Sequence, residues 1–130
     1  MPVKKAADIV AEAKGQIDNL TPEQVADEVK NGAVLVDIRD GGEREQSGYI
    51  PGAVHASRGL LEFHADPSSP YHKPEMDPGK RVILHCASGG RSALAALTLR
   101  EMGYTDVAHL DSGYNGWKEA GHPTEGGSNS

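Results

Sequence analysis

A chain of 130 residues, 37% hydrophobic and 25% charged, is long enough for one domain with a genuine core and too short for two of ordinary size. Its net charge of -6 argues against nucleic acid or an anionic membrane as partner, because both require a basic surface, and nothing in it resembles a transmembrane span. One cysteine precludes an internal disulfide, and the run Met1 to Asp8 turns acidic too early for the apolar core of a secretory signal. The expectation is a cytoplasmic protein whose free thiol stays reduced, with a disulfide-linked dimer left open.

In chain order, Ala6, Ile9, Val10 and Ala13 give helical spacing over Lys4 to Lys14, stopped at Gly15. Thr21-Pro22-Glu23-Gln24 is a capping box with proline at the first helical position, and Val25, Ala26 and Val29 supply its apolar stripe up to Asn31-Gly32. Ala33 to Ile38 is a short β-branched run, apolar on both faces, which suits the centre of a parallel sheet; Arg81 to His85 reads likewise. Between them lie polar and proline-marked segments, with a short helix expected around Gly59 to Phe63. A helix over Arg91 to Met102, a strand at Val107 to Leu110 and a last helix near Asn115 to Ala120 follow, with a flexible tail from Glu125. Strands alternating with helices imply an open α/β sheet, mainly parallel and flanked by helices on both faces, with ligands beyond the carboxyl ends of its strands.

Cys86 stands at such an end. The segment Arg81-Val82-Ile83-Leu84-His85-Cys86-Ala87-Ser88-Gly89-Gly90-Arg91-Ser92 reads as strand, tight loop and helix start. A thiol there faces successive backbone N–H groups and the positive end of a helix, both of which favour the nucleophilic thiolate. Gly89 and Gly90 permit the curl that turns amides inward, and Arg91 adds a cation at the rim. A lone cysteine is more commonly a small buried hydrophobe, but the loop and the arginine favour chemistry here.

Four further segments, in order, resemble the single-domain rhodaneses, the sulfurtransferase fold, over roughly residues 20 to 124. Leu35-Val36-Asp37-Ile38-Arg39 is similar to the family's strand ending in Asp-x-Arg, and Gly48-Tyr49-Ile50-Pro51-Gly52-Ala53 to its Gly-His-Ile-Pro-Gly-Ala turn, with Tyr49 in place of the histidine. Gly113-Tyr114-Asn115-Gly116-Trp117 and Gly121-His122-Pro123 resemble its closing elements. The implied organisation is an N-terminal helical extension over 1–19, the domain over 20–124 and a tail over 125–130.

Four residues separate Cys86 from Arg91, whereas phosphatases of related architecture have a loop one residue longer. The shorter ring suits one sulfur atom on the cysteine better than a tetrahedral oxyanion, although His85-Cys86 mimics the phosphatase opening. The resemblance implies a Cys86 persulfide, made from thiosulfate or a similar anionic donor and passed to cyanide, a thiol or an accepting protein, with no metal or organic cofactor. The loop Ala87, Ser88, Gly89, Gly90, Arg91 and Ser92 would bind substrate. Arg91 either attracts the anion or pairs with a carboxylate; Arg58 is a candidate second cation at the mouth, and Asp37 with Arg39 a supporting salt bridge. His85 reads as a satisfied core histidine, His55, His64, His72, His109 and His122 lack metal-ligand spacing, and Trp117 reads as a core anchor. A noncatalytic sulfur carrier or interaction module, and a phosphatase or arsenate reductase of related fold, are the competing readings.

Overall fold

The computed structural model describes residues 2–128. Its elements run α1 (Ala6–Lys14), β1 (Asp18–Leu20), α2 (Pro22–Lys30), β2 (Val34–Asp37), α3 (Gly41–Ser47), β3 (Val54–His55), a 3-10 turn (Arg58–Leu60), α4 (Leu61–Ala65), β4 (Val82–His85), α5 (Gly90–Glu101), β5 (Val107–Leu110) and α6 (Gly113–Glu119). Five strands, all parallel, form one sheet in the order β1-β5-β4-β2-β3.

Strand alternation sends residues to two cores. Val36, Val82, Leu84 and Val107 meet Ala95, Ala96 and Leu99 of α5 and Leu61 and Ala65 of α4. Leu35, Ile83, Ala108 and Leu110 meet Val25 of α2 and Tyr114 and Trp117 of α6. The sheet is therefore covered on both faces, and its central strands β4 and β5 are buried throughout. The capping box of α2 forms as read: Thr21 Oγ1 accepts from Gln24 N–H at 3.2 Å, and Gln24 Oε1 from Thr21 N–H at 2.9 Å. Trp117 sits in the second core, its Nε1–H donating to Pro123 O at 2.8 Å.

Three elements escaped the apolar pattern. β1 and β3 are edge strands of three and two residues, too short to show a period. α3, Gly-Gly-Glu-Arg-Glu-Gln-Ser, buries no residue and is held by polar contacts, Asp40 N–H to Glu43 Oε2 at 2.9 Å and Arg44 Nε to Asp37 Oδ2 at 3.2 Å. The boundary expected between residues 19 and 20 falls inside β1, which pairs with β5, while α1 packs on α5. At the other end, Tyr49 and Glu125 exchange backbone hydrogen bonds at 2.9 Å, and Ser128 N–H reaches the carbonyls of Glu45 and Gln46. The segment expected as a flexible tail is thus laid along α3 as far as Ser128, and residues 129–130 lie outside the described part.

Candidate active site

Past His85 the chain leaves the sheet, and the segment from Cys86 to Gly89 curls before α5 begins. The Cys86 sulfur accepts hydrogen bonds from Gly89 N–H at 3.1 Å and Ser92 N–H at 3.4 Å, with Ser92 Oγ at 3.5 Å. Only 1% of the residue is exposed. Burial by itself would push the thiol up, but the Ser92 hydroxyl and the N–H groups of Ser92, Gly89 and Ser88 outweigh it and bring the pKa below the ordinary thiol value. The axis of α5, twelve residues long, adds its positive end in the same sense.

The segment after β5 anchors the start of the loop. Tyr114 N–H and Asn115 N–H, in the first turn of α6, donate to the carbonyls of Cys86 and Ala87 at 2.8 and 3.0 Å. A trans peptide sets its N–H opposite its C=O, so anchoring those two oxygens toward α6 turns the Ala87 and Ser88 N–H groups away from α6, and Ser88 N–H is one of the donors that lower the thiol pKa. Contact is backbone to backbone. Gly89 holds φ at 99°, and a Cβ there would fall 2.1 Å from Asp111 O; Gly113 holds φ at 65°, and a Cβ there would fall 2.4 Å from Ala87 O.

Arg91 leaves the loop to meet α3: its two terminal nitrogens bind the two oxygens of Glu43 at 2.8 and 2.9 Å. That pairing, foremost among the causes, pulls the Glu43 carboxyl down to about 2. Arg58 is tied to Glu62 at 3.0 Å and to Thr98 Oγ1 at 3.3 Å, six residues beyond Ser92 on α5. Asp37 and Arg39 form the expected salt bridge, buried and two-pronged, at 3.1 and 2.9 Å, and Arg39 also reaches Gly48 O and lies 4.2 Å over the Tyr114 ring. His85 joins this cluster but is not the satisfied histidine expected: its Nε2 is buried without a hydrogen-bond partner, 3.8 Å from Asp37 Oδ2. Burial, only partly offset by Asp37, pushes its pKa down.

Several residues near the sulfur were not singled out from sequence. Lys14, at the end of α1, pairs with Asp111 at 2.9 Å, and its ammonium lies 3.6 Å from where a Cβ of Gly89 would stand. His109 touches Ser92 Oγ through Nδ1 at 2.9 Å and Asn19 Oδ1 through Nε2 at 2.7 Å. Glu43 and Gly113 complete the set. Gly113 opens a segment with a family resemblance, but no local signal ties any of the four to the Cys86 loop, since each comes to it from a different element. Among the described residues no group of three His, Cys, Asp or Glu side chains is placed to hold a metal ion.

The family model for the Rhodanese-like domain matches residues 21–120. This chain belongs to the rhodanese-like family. It is 33% identical over 111 residues to thiosulfate sulfurtransferase GlpE of Pseudomonas savastanoi, an alignment spanning 85% of this chain and 94% of that one. Among solved structures it resembles a protein of unknown function from Rhodopseudomonas palustris, described as a possible tyrosine phosphatase, with a TM-score of 0.87 and 42% identity over 96% of this chain and 99% of the other. It also resembles the homodimeric polysulfide-sulfur transferase of Wolinella succinogenes, with a TM-score of 0.76 and 30% identity over 93% of this chain and 87% of the other. Among the described residues no helix of this rhodanese-like protein is long and apolar enough to cross a membrane.

Proposed function

We propose that the protein is a sulfurtransferase that carries sulfane sulfur as a persulfide on Cys86. The observation that carries this reading is the convergence of the Gly89 and Ser92 N–H groups on the sulfur itself, with only four residues between Cys86 and Arg91. In the first half-reaction the Cys86 thiolate attacks the outer sulfur of thiosulfate, the S–S bond of the donor breaks, and sulfite leaves with the electron pair. The persulfide anion, charged on its outer sulfur, sits at the N-terminus of α5. In the second, cyanide or a thiol attacks that outer sulfur and restores the thiolate. Charge balances at each step, and the cycle requires no cofactor.

The likeness to a possible tyrosine phosphatase favours a second reading, hydrolysis of a phosphate ester. Against it stands the position of Arg91, held by both nitrogens on Glu43 rather than free to bind an oxyanion, together with the short loop. A sulfur carrier without small-molecule turnover shares the persulfide but not the cyanide step.

Intact mass of the reduced protein after thiosulfate treatment is expected to rise by one sulfur in the wild type and not in Cys86→Ser, and cyanide is expected to remove it as thiocyanate. A Cys86→Ser protein that still gains sulfur sinks the mechanism. Loading without thiocyanate release points to the carrier, and hydrolysis of p-nitrophenyl phosphate without loading points to the phosphatase.

A further inference from the structure

Behind Cys86 runs a hydrogen-bonded line of polar side chains. Cys86, Ser92 and His109 are each at most 1% exposed. They run from Cys86 Sγ to Ser92 Oγ at 3.5 Å, to His109 Nδ1 at 2.9 Å, and from His109 Nε2 to Asn19 Oδ1 at 2.7 Å. The proton directions along this line are set from its far end. The Asn19 amide nitrogen donates to the carbonyls of Lys14 and Ile17 at 2.8 and 3.1 Å, so the atom facing His109 is the oxygen, which can only accept. Nε2 therefore bears hydrogen. In the neutral ring Nδ1 is then bare, and it takes the hydrogen of the Ser92 hydroxyl, whose lone pairs are left for the thiol hydrogen of Cys86. Ser92 has one proton to give, and it can donate to a sulfur anion only when Nδ1 no longer needs it.

We propose that Ser92 and His109 form a proton relay for Cys86, the thiol proton passing to the Ser92 oxygen while the Ser92 hydroxyl proton passes to His109 Nδ1. One S–H bond breaks and one O–H forms; one O–H breaks and one N–H forms. The products are a thiolate and an imidazolium, with no proton lost to solvent. His109 and Asn19 are positioning residues in this scheme, acting on the sulfur through Ser92.

The charged groups facing the ring come from three elements. Asp111, just past β5, lies 3.5 Å from Nε2 and favours the imidazolium; Lys14 of α1, paired with Asp111, opposes it; the sulfur of Cys86, reached through Ser92, favours it when ionised. With burial the leading cause, the ring is held down to about 4. It is thus neutral at rest and a weak base by itself, so its acceptance of the proton depends on the negative charge left on the Cys86 sulfur. The two ionisations are coupled, so they titrate as a pair.

The relay deepens the sulfurtransfer reading and rests on it for its use in turnover, but its test needs no sulfur transfer. Alkylation of Cys86 by iodoacetamide, followed from pH 5 to 9, is expected to show two limbs in the wild type, the lower from thiolate whose proton stays on His109. Ser92→Ala and His109→Gln are expected to lose the lower limb, with alkylation about tenfold slower at pH 6 and little changed at pH 9. Ser92→Thr, which keeps the hydroxyl, is expected to restore it. A loss by the same factor at every pH, or profiles superimposable on the wild type, overturns the relay. Nitrogen-15 spectra of the unaltered protein give a check independent of any variant: neutral His109 is expected with its hydrogen on Nε2, and a hydrogen on Nδ1 overturns the relay. Two limbs in a protein that takes no sulfur from any donor would keep the relay and reject the sulfurtransferase.

Discussion

At the scale of single residues, the charge of Arg91 decides between two jobs. A guanidinium held by both nitrogens on one carboxylate fixes α3 to the loop and has little net charge to offer a donor. Arg91→Ala is therefore expected to reduce turnover with thiosulfate and with a neutral organic trisulfide by similar factors; a loss confined to thiosulfate would return Arg91 to anion binding. Because the pair is partly exposed, its contribution after solvent screening is ~1 kcal/mol. The Glu43 carboxyl lies at about 2 in the fold against an ordinary 4.5, so this stability is full above about pH 5 and lost as pH falls through 2. Glu43→Gln should lower the melting temperature at pH 7 and have a much smaller effect near pH 2. Cys86 was legible as the candidate nucleophile because strand, glycines and helix are contiguous around it; Glu43 was not legible as part of the site, since no spacing rule ties it to a residue 48 positions on.

At the scale of elements, the loop is shaped less by its own sequence than by the first turn of α6. Gly113 lies far along the chain from Cys86, yet its missing Cβ leaves room for Ala87 O. Gly113→Ala combines a left-handed backbone angle with that clash and is expected to destabilise the fold by ~2 kcal/mol or more while slowing alkylation of Cys86 at every pH. Chemical denaturation and alkylation rates test this together, and unchanged reactivity in a folded Gly113→Ala protein would remove α6 from the loop's support. The helix α2 was legible because its capping box and apolar stripe are local, and α5 because an alanine- and leucine-rich run follows the loop directly. α3 was not, because it buries nothing and is held by Asp37 and by its own first turn. α1 was legible as a helix but not in its place: its Val10 and Lys14 approach Gly90 and Gly89, so the segment expected as an extension borders the reactive loop.

At the scale of the whole molecule, the fold buries two histidines in neutral form. His109 is held to about 4 and His85 is also lowered, in both cases chiefly by burial. The unfolded chain takes up these protons from about pH 6.5 downward while the native one does not, so stability is full above that range and falls as pH drops toward 4. For His109 the loss is on the order of 3 kcal/mol. The urea midpoint is expected to fall steeply between pH 7 and 4, and His109→Gln to flatten that fall; a midpoint independent of pH in the wild type would contradict the neutral burial of both rings. Local sequence carried the parallel α/β class, the two-faced core and the place of the lone cysteine at a strand end, because strand alternation, helix caps and a glycine turn act over a few residues. Only the tertiary structure decided that Asn19, His109, Glu43, Lys14 and Gly113 converge on one loop. Strand order sets β5 between β4 and β1, and helix packing sets α1, α3 and α6 around the end of β4, and neither is encoded by neighbours in the chain.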